Sequence, residues 1–277
     1  MTDVLSAHSR FHGPYPWLDD DKVTRLWLSC AFLMAAFWMV LTPAFLTDPR
    51  TVEGVSTWSK PLKFALSLGV HALTLAVLAQ LLHRDDRVGR VMVITGMIGV
   101  AGVLFEQVYI TLQAARARRS HFNYETDLEG IMYAFMGVGA VMIVLPAFAL
   151  GLLIWRRSRL DSSALRLGAI LGLIIGVVLT SVFGGFMSAS QGHWVGSSTT
   201  DADGLPIVGW SRSVGDLRVA HFMATHMMQT MPIIGLIVDR MKLPMGKTIV
   251  WAAAIIQSAI TIAVFAQALA GQPLIGF

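Results

Sequence analysis

Apolar residues run along this chain in long blocks, each near the ~20 residues that a helix needs to cross the hydrocarbon core of a bilayer. There are seven such blocks, at 26–46, 64–82, 91–113, 131–155, 167–187, 217–238 and 248–270, and each ends at charges, glycine or proline. The pattern predicts an all-α bundle of seven transmembrane helices over 26–277, preceded by a polar arm over 1–25. No internal repeat and no low-complexity tract interrupts it. The longest connection, 188–216, is rich in Gly, Ser and Asp and is expected to be an ordered or semi-ordered loop.

Composition agrees with the pattern. Of 277 residues, 55% are hydrophobic and 14% charged, against about 25% charged in a soluble domain. Mean hydropathy is +0.64. The basic pI, near 9.5, needs no nucleic-acid partner, because cytoplasmic loops of membrane proteins are enriched in Lys and Arg. The single cysteine, Cys30, excludes an intrachain disulfide and a Cys-based zinc or iron–sulfur site. The first 25 residues carry Asp19-Asp20-Asp21 and no apolar core with a small-residue cleavage site, so they do not read as a secretory signal.

Charge sets the expected orientation. Thirteen Lys and Arg, among them Arg84, Arg87 and Arg156, fall on one side, and eight, among them Lys63, Arg116 and Arg218, fall on the other. The richer side is assigned to the cytoplasm, with the N-terminus inside, the C-terminus outside and a bacterial inner membrane as the location. Trp17, Trp58, Trp155, Trp194 and Trp210 sit near the expected interfaces, as an aromatic belt would.

Candidate chemistry lies in polar residues inside apolar blocks, where ionisable groups are costly and mark function. The sixth block opens with Asp216-Leu217-Arg218-Val219-Ala220-His221 and carries His226 and Gln229. At 1.5 Å rise per residue, His71 lies roughly 12 Å below Lys63, His226 roughly 12 Å below Arg218, and Glu106 roughly 15 Å from Arg116. Three segments therefore place an ionisable group at a similar depth in the outer half. Lys63, Ser67 and His71 form one helical stripe. Gly99, Gly102, Glu106, Tyr109 and Gln113 form another, and with Gly96 those glycines would admit a neighbouring backbone or a flat cofactor. His221 and His226 are about 140° apart around an unbroken helix, which disfavours one small ion held by both. Pro232, after both, could distort that helix. Arg116-Ala117-Arg118-Arg119 reads as a lipid-headgroup or solvated patch. The expected site lies among the second, third and sixth segments, capped by loops carrying His121, Asn123 and His193.

Three functional readings follow. In the first, two imidazoles ligate a b-type haem or other redox metal that moves electrons, with quinone or another carrier as partner. His71 and His226 are the expected axial ligands and His221 the alternate. Gly99 and Gly102 make room, Glu106 carries protons, and Gln107, Gln113 and Lys63 support the chemistry. No CxxCH occurs, so covalent c-type haem is excluded. The second reading is a zinc hydrolase, with zinc or copper as the alternative metal; Met223, Met227 and Met231, at intervals of four, read as packing rather than a copper path. The third is a transporter or channel whose polar residues line a pathway. A homo-oligomer is compatible with all three. No GxSxG, HExxH or histidine box occurs, and the last segment has no lysine for a retinal.

Ser67-x-x-x-His71, the acid Glu106 and the late pair His221 and His226 resemble the seven-helix ceramidase and adiponectin-receptor superfamily. That resemblance implies zinc held by three histidines with an activated water. The family's late HxxxH lies on its last helix, whereas His221 and His226 are five apart on the sixth segment. Trp58-Ser59-Lys60-Pro61-Leu62-Lys63-Phe64, Ser120-His121-Phe122-Asn123 and Gly215-Asp216-Leu217-Arg218-Val219-Ala220-His221-Phe222 resemble a family of bacterial multi-pass membrane proteins. This second resemblance spans the second to sixth segments and implies no particular activity or cofactor.

Overall fold

The computed structural model describes residues 18–160, 162–198 and 200–276. His8, His12, Trp17 and most of the polar arm lie outside the described residues.

Helices dominate. In chain order they are α1 (Lys22–Thr47), α2 (Ser59–Ala79), the single turn α3 (Arg84–Arg87), α4 (Arg90–Ala115), α5 (Asp127–Arg157), α6 (Ala164–Ala189), α7 (Arg218–Thr225), α8 (Met227–Arg240) and α9 (Gly246–Leu269). Two short antiparallel pairs complete the fold: β1 (Thr51–Val52) with β2 (Val55–Ser56), and β3 (Trp194–Val195) with β4 (Gly215–Asp216). Among the described residues, α1, α2, α4, α5, α6 and α9 are long and apolar enough to cross a membrane. Large apolar side chains such as Val40, Leu66, Val141 and Ile255 stay exposed on their outer faces, as they would against lipid. The chain is an all-α, multi-pass membrane protein.

Helix starts follow from capping. Asp21 accepts from the Val23 and Thr24 amides, Thr126 from Glu129 and Ser163 from Arg166. Asp239 reaches across from α8 to accept from the free amides of Ala164 (2.9 Å) and Leu165 (2.8 Å) at the start of α6. Because α1 starts at Lys22, the part of the expected arm from 22 to 25 belongs to the helical bundle.

The sixth apolar block differs from expectation. It forms two helices, α7 and α8, interrupted at His226, while Pro232 stays inside α8. The His226 ring places Nδ1 2.8 Å from the Phe222 carbonyl, which also accepts the His226 amide at 3.1 Å. Side chain and backbone thus compete for one acceptor at the interruption.

Close packing rests on glycines. A Cβ at Gly168 would lie 2.3 Å from the Met231 carbonyl oxygen, and one at Gly172 would lie 2.4 Å from that of Met227. With Gly176 they form a stripe at intervals of four that lays α6 directly on the α8 backbone. On α4, a Cβ at Gly99 would meet Pro146 at 2.7 Å and Trp27 at 2.9 Å, and one at Gly102 would meet the Gly139 carbonyl at 2.9 Å. The space expected for a flat cofactor is filled by α1 and α5.

One end of the bundle is closed by Arg87, fully buried, which pairs with Asp21 at 2.6 Å and with Asp19. At the other end lie the β1–β2 turn, the 116–126 connection and the described residues of the connection between α6 and α7.

Candidate functional site

The site grows from the end of α4. Gln113, buried, donates to the Arg119 carbonyl (3.0 Å) and the Tyr109 hydroxyl (3.1 Å) and accepts from Arg116 (2.7 Å). Asn123 donates to the same Arg119 carbonyl (2.9 Å). Arg118 and Arg116 pair with Glu129 at 2.8 and 3.2 Å, and Arg119 pairs with Glu53 at 2.9 Å. The arginine cluster, expected as a lipid-headgroup or solvated patch, stays about half exposed and also pairs within and beside this connection. Gln113 and Asn123 shape the loop that carries His121.

His121 is turned inward. Its ring lies 5.8 Å from Phe64, 6.0 Å from Tyr133 and 6.3 Å from Phe122, centroid to centroid. Nδ1 is 3.1 Å from the Ser120 hydroxyl, and Nε2 is 3.9 Å from Glu106 Oε2. Burial, then the charges of Lys60, His221 and His193, push the imidazole well below its ordinary pKa. Glu106 is 2% exposed, and neither carboxylate oxygen has a hydrogen-bond partner. A Cβ at Gly139 would lie 2.9 Å from Oε1, so α5 admits this carboxyl only because it has glycine there.

Two further imidazoles surround the pair. His193, 7% exposed, has its Nε2 3.7 Å from Asp201 Oδ1 and its ring 4.1 Å from Trp194. Arg218 grips Asp201 through two bonds (2.8 and 2.7 Å) and also binds Asp216 and the Gly209 carbonyl. Burial raises the Asp201 carboxyl, but His193 and Arg218 more than offset it and hold it below the usual carboxylate range. These bonds tie Asp201, Gly209, Asp216 and Arg218 together in the connection that leads into α7. His221 packs its ring edge on Gly184, 3.3 Å from a Cβ built there, and its Nδ1 has no partner.

The other expected residues lie elsewhere. His71 donates from Nε2 to the Ile143 carbonyl (3.2 Å) and meets Trp27 edge-on. It touches α5 one turn from Gly139, where Glu106 does, so the two are close in depth. Gln107 donates to the Pro61 carbonyl (3.2 Å). Lys63 donates to the Val208 carbonyl (3.3 Å), and Lys60, three residues earlier, is the lysine whose charge reaches Glu106. His226 stacks on Phe222, 3.9 Å between centroids, within its own helix pair. A haem iron held by both His71 and His226 does not fit this arrangement. Each ring would have to leave its carbonyl and aromatic partners, and the glycines that were to make room are packed shut. Ser67 is exposed on α2 rather than beside Glu106. Among the described residues, no three His, Cys, Asp or Glu side chains are grouped to hold one metal ion.

Sequence reasoning missed Lys60, Phe64, Tyr133 and Asp201. Lys60 and Phe64, four apart with the ammonium 6.0 Å from the ring, share a face that spacing could have flagged. Asp201 has no such signal, being brought in by a loop.

No protein-family model matches the chain, and neither a curated protein nor a solved structure does.

Proposed function

We propose that this chain is a seven-span protein of the bacterial inner membrane, with α7 and α8 together forming the interrupted sixth span and the N-terminus in the cytoplasm. Its work is proton exchange at Glu106 and His121 coupled to oxidoreduction of a quinone-class carrier. One observation carries the reading: a buried carboxyl with both oxygens unpartnered stands 3.9 Å from an inward-turned imidazole. Buried polar groups are nearly always bonded, and an unbonded one calls for an explanation, a catalytic or redox role among them. A quinone taking two electrons from a redox partner protein needs two protons. An acid beside an imidazole that can relay a proton from one ring nitrogen to the other, with the rings of Phe64, Phe122 and Tyr133 packed around that imidazole, supplies a proton path and an apolar surface for a flat ring. The site stays in the outer half, where lipid-soluble carriers reach it from the bilayer.

The test uses purified protein in lipid nanodiscs. A short-chain ubiquinone analogue is expected to raise the melting temperature of the wild type and not of Glu106→Gln or His121→Phe. Absence of any shift in the wild type would overturn the quinone reading. Transport is the second reading. The interruption of the sixth block at His226 favours it, since transporters build binding sites from broken helices. A spectrum and metal analysis of the same sample test for haem or zinc.

A further inference from the structure

Phe122 packs against two imidazoles. Its ring centroid is 6.3 Å from His121 and 6.2 Å from His193. On one side, His121 faces Glu106, Lys60 and Tyr133; on the other, His193 faces Asp201 and Trp194, with Arg218 behind them. The ring also packs against the apolar group of Met187, Leu217 and Ala268. Its backbone is strained, with φ at 51°, a left-handed value that a bulky side chain rarely adopts. Neighbouring bonds hold it there: Asn123 and Gln113 both donate to the Arg119 carbonyl. Strain of this kind persists where the surroundings enforce it, and it clusters at clamps and switches. His193 Nε2 is buried, with Asp201 Oδ1 at 3.7 Å and no partner at hydrogen-bond distance, so it can take a further bond on the outer side.

We propose that Phe122 is the gate on a proton route from the outer aqueous face, through His193, to the His121–Glu106 pair. The inference rests on proton exchange at that pair and adds where the protons come from. With the ring in place the two imidazoles are separated by hydrocarbon. When it swings aside, water joins them. Once Glu106 has given up its proton, a proton on His193 passes through that water to His121 Nδ1, while His121 Nε2 gives its own proton to the Glu106 carboxylate at Oε2; the reverse path exchanges the carboxyl proton with the outer water. One proton enters and one is delivered, and no electrons move.

The experiment follows the carboxyl proton of Glu106 by infrared spectroscopy of the full chain in nanodiscs, transferred from water to heavy water. The band is identified as the protonated carboxyl stretch absent from Glu106→Gln. Phe122→Ala and Phe122→Gly should both exchange roughly tenfold faster than wild type, the factor expected if an opening step of about 1.4 kcal/mol is removed. Glycine also relieves the backbone, so at least one variant should keep its fold. His193→Gln should slow exchange by a similar factor. Unchanged exchange in a folded Phe122 variant overturns the gate and leaves the proton site standing. A wild type whose spectrum does not differ from Glu106→Gln overturns the proton site and the gate with it.

Discussion

At the scale of single residues, His121 shows how burial becomes a measurable property. The folded protein keeps this imidazole neutral, because burial and then the charges of Lys60, His221 and His193 push it far below its ordinary value of 6.5. The unfolded chain has no such restraint and binds a proton as pH falls through about 6.5. The unfolded state therefore holds more protons below that pH. Stability is full above it and falls on acidification, by up to about 1.4 kcal/mol per pH unit from this one group. The wild type should melt lower at pH 5.5 than at 7.5, and His121→Gln should lose much of that difference. An equal pH slope in both would refute the neutral-imidazole account. The same residue shows what the sequence holds. Glu106 is legible because it is a lone acid in an apolar block, whatever surrounds it. Which lysine faces it is not legible, because spacing orders Lys60 and Lys63 around α2 but does not say which side of α2 meets α4.

At the scale of elements, helix contact here depends on missing side chains. Gly172→Ala puts a methyl 2.4 Å from a backbone carbonyl oxygen that cannot rotate away, so α6 and α8 must separate. Overpacking of this kind costs about 1–3 kcal/mol. Gly185→Ala, on the same helix with nothing within 4 Å of the new Cβ, is the matched control. It should be neutral or slightly stabilising, because alanine favours helix over glycine. Melting of the two variants side by side checks the claim, and equal stability would remove the glycine stripe as the cause of the close approach. Most helices were legible as apolar blocks, with ends shifted by a few residues where caps such as Asp21 and Thr126 extend them. The interruption at His226 was not, since it arises when a side chain and an amide compete for the Phe222 carbonyl. Proline, the usual suspect, is accommodated inside α8. The α6 stripe was readable in Leu167-Gly168-Ala169-Ile170-Leu171-Gly172. The α4 glycines read as cofactor space because they share a stripe with Glu106, yet they too serve close packing.

At the scale of the whole molecule, the two ends are closed by different arginines, and this makes them separable. Arg87 is fully buried and bonds Asp19 and Asp21, which start α1, from α3. Replacing it by Met leaves a buried carboxylate unpaired, at about 3–5 kcal/mol. Because Asp21 also caps α1, the loss falls on the bundle itself. Arg218 is a quarter exposed and ties Asp201 and Asp216 together. Its replacement leaves two buried carboxylates, Asp201 and Asp216, unpaired, a penalty of the same kind as at Arg87, but the loss falls on the connection over the site rather than on the start of α1. The site of limited proteolysis should therefore separate the variants. Arg87→Met should melt well below wild type and keep 188–216 resistant to protease. Arg218→Met should also melt below wild type, but it alone should be cut within the connection between α6 and α7. If Arg218→Met were resistant there, the β3–β4 pairing would be holding the loop by itself. The Arg218 grip on Asp201 would then not be what keeps His193 beside the gate.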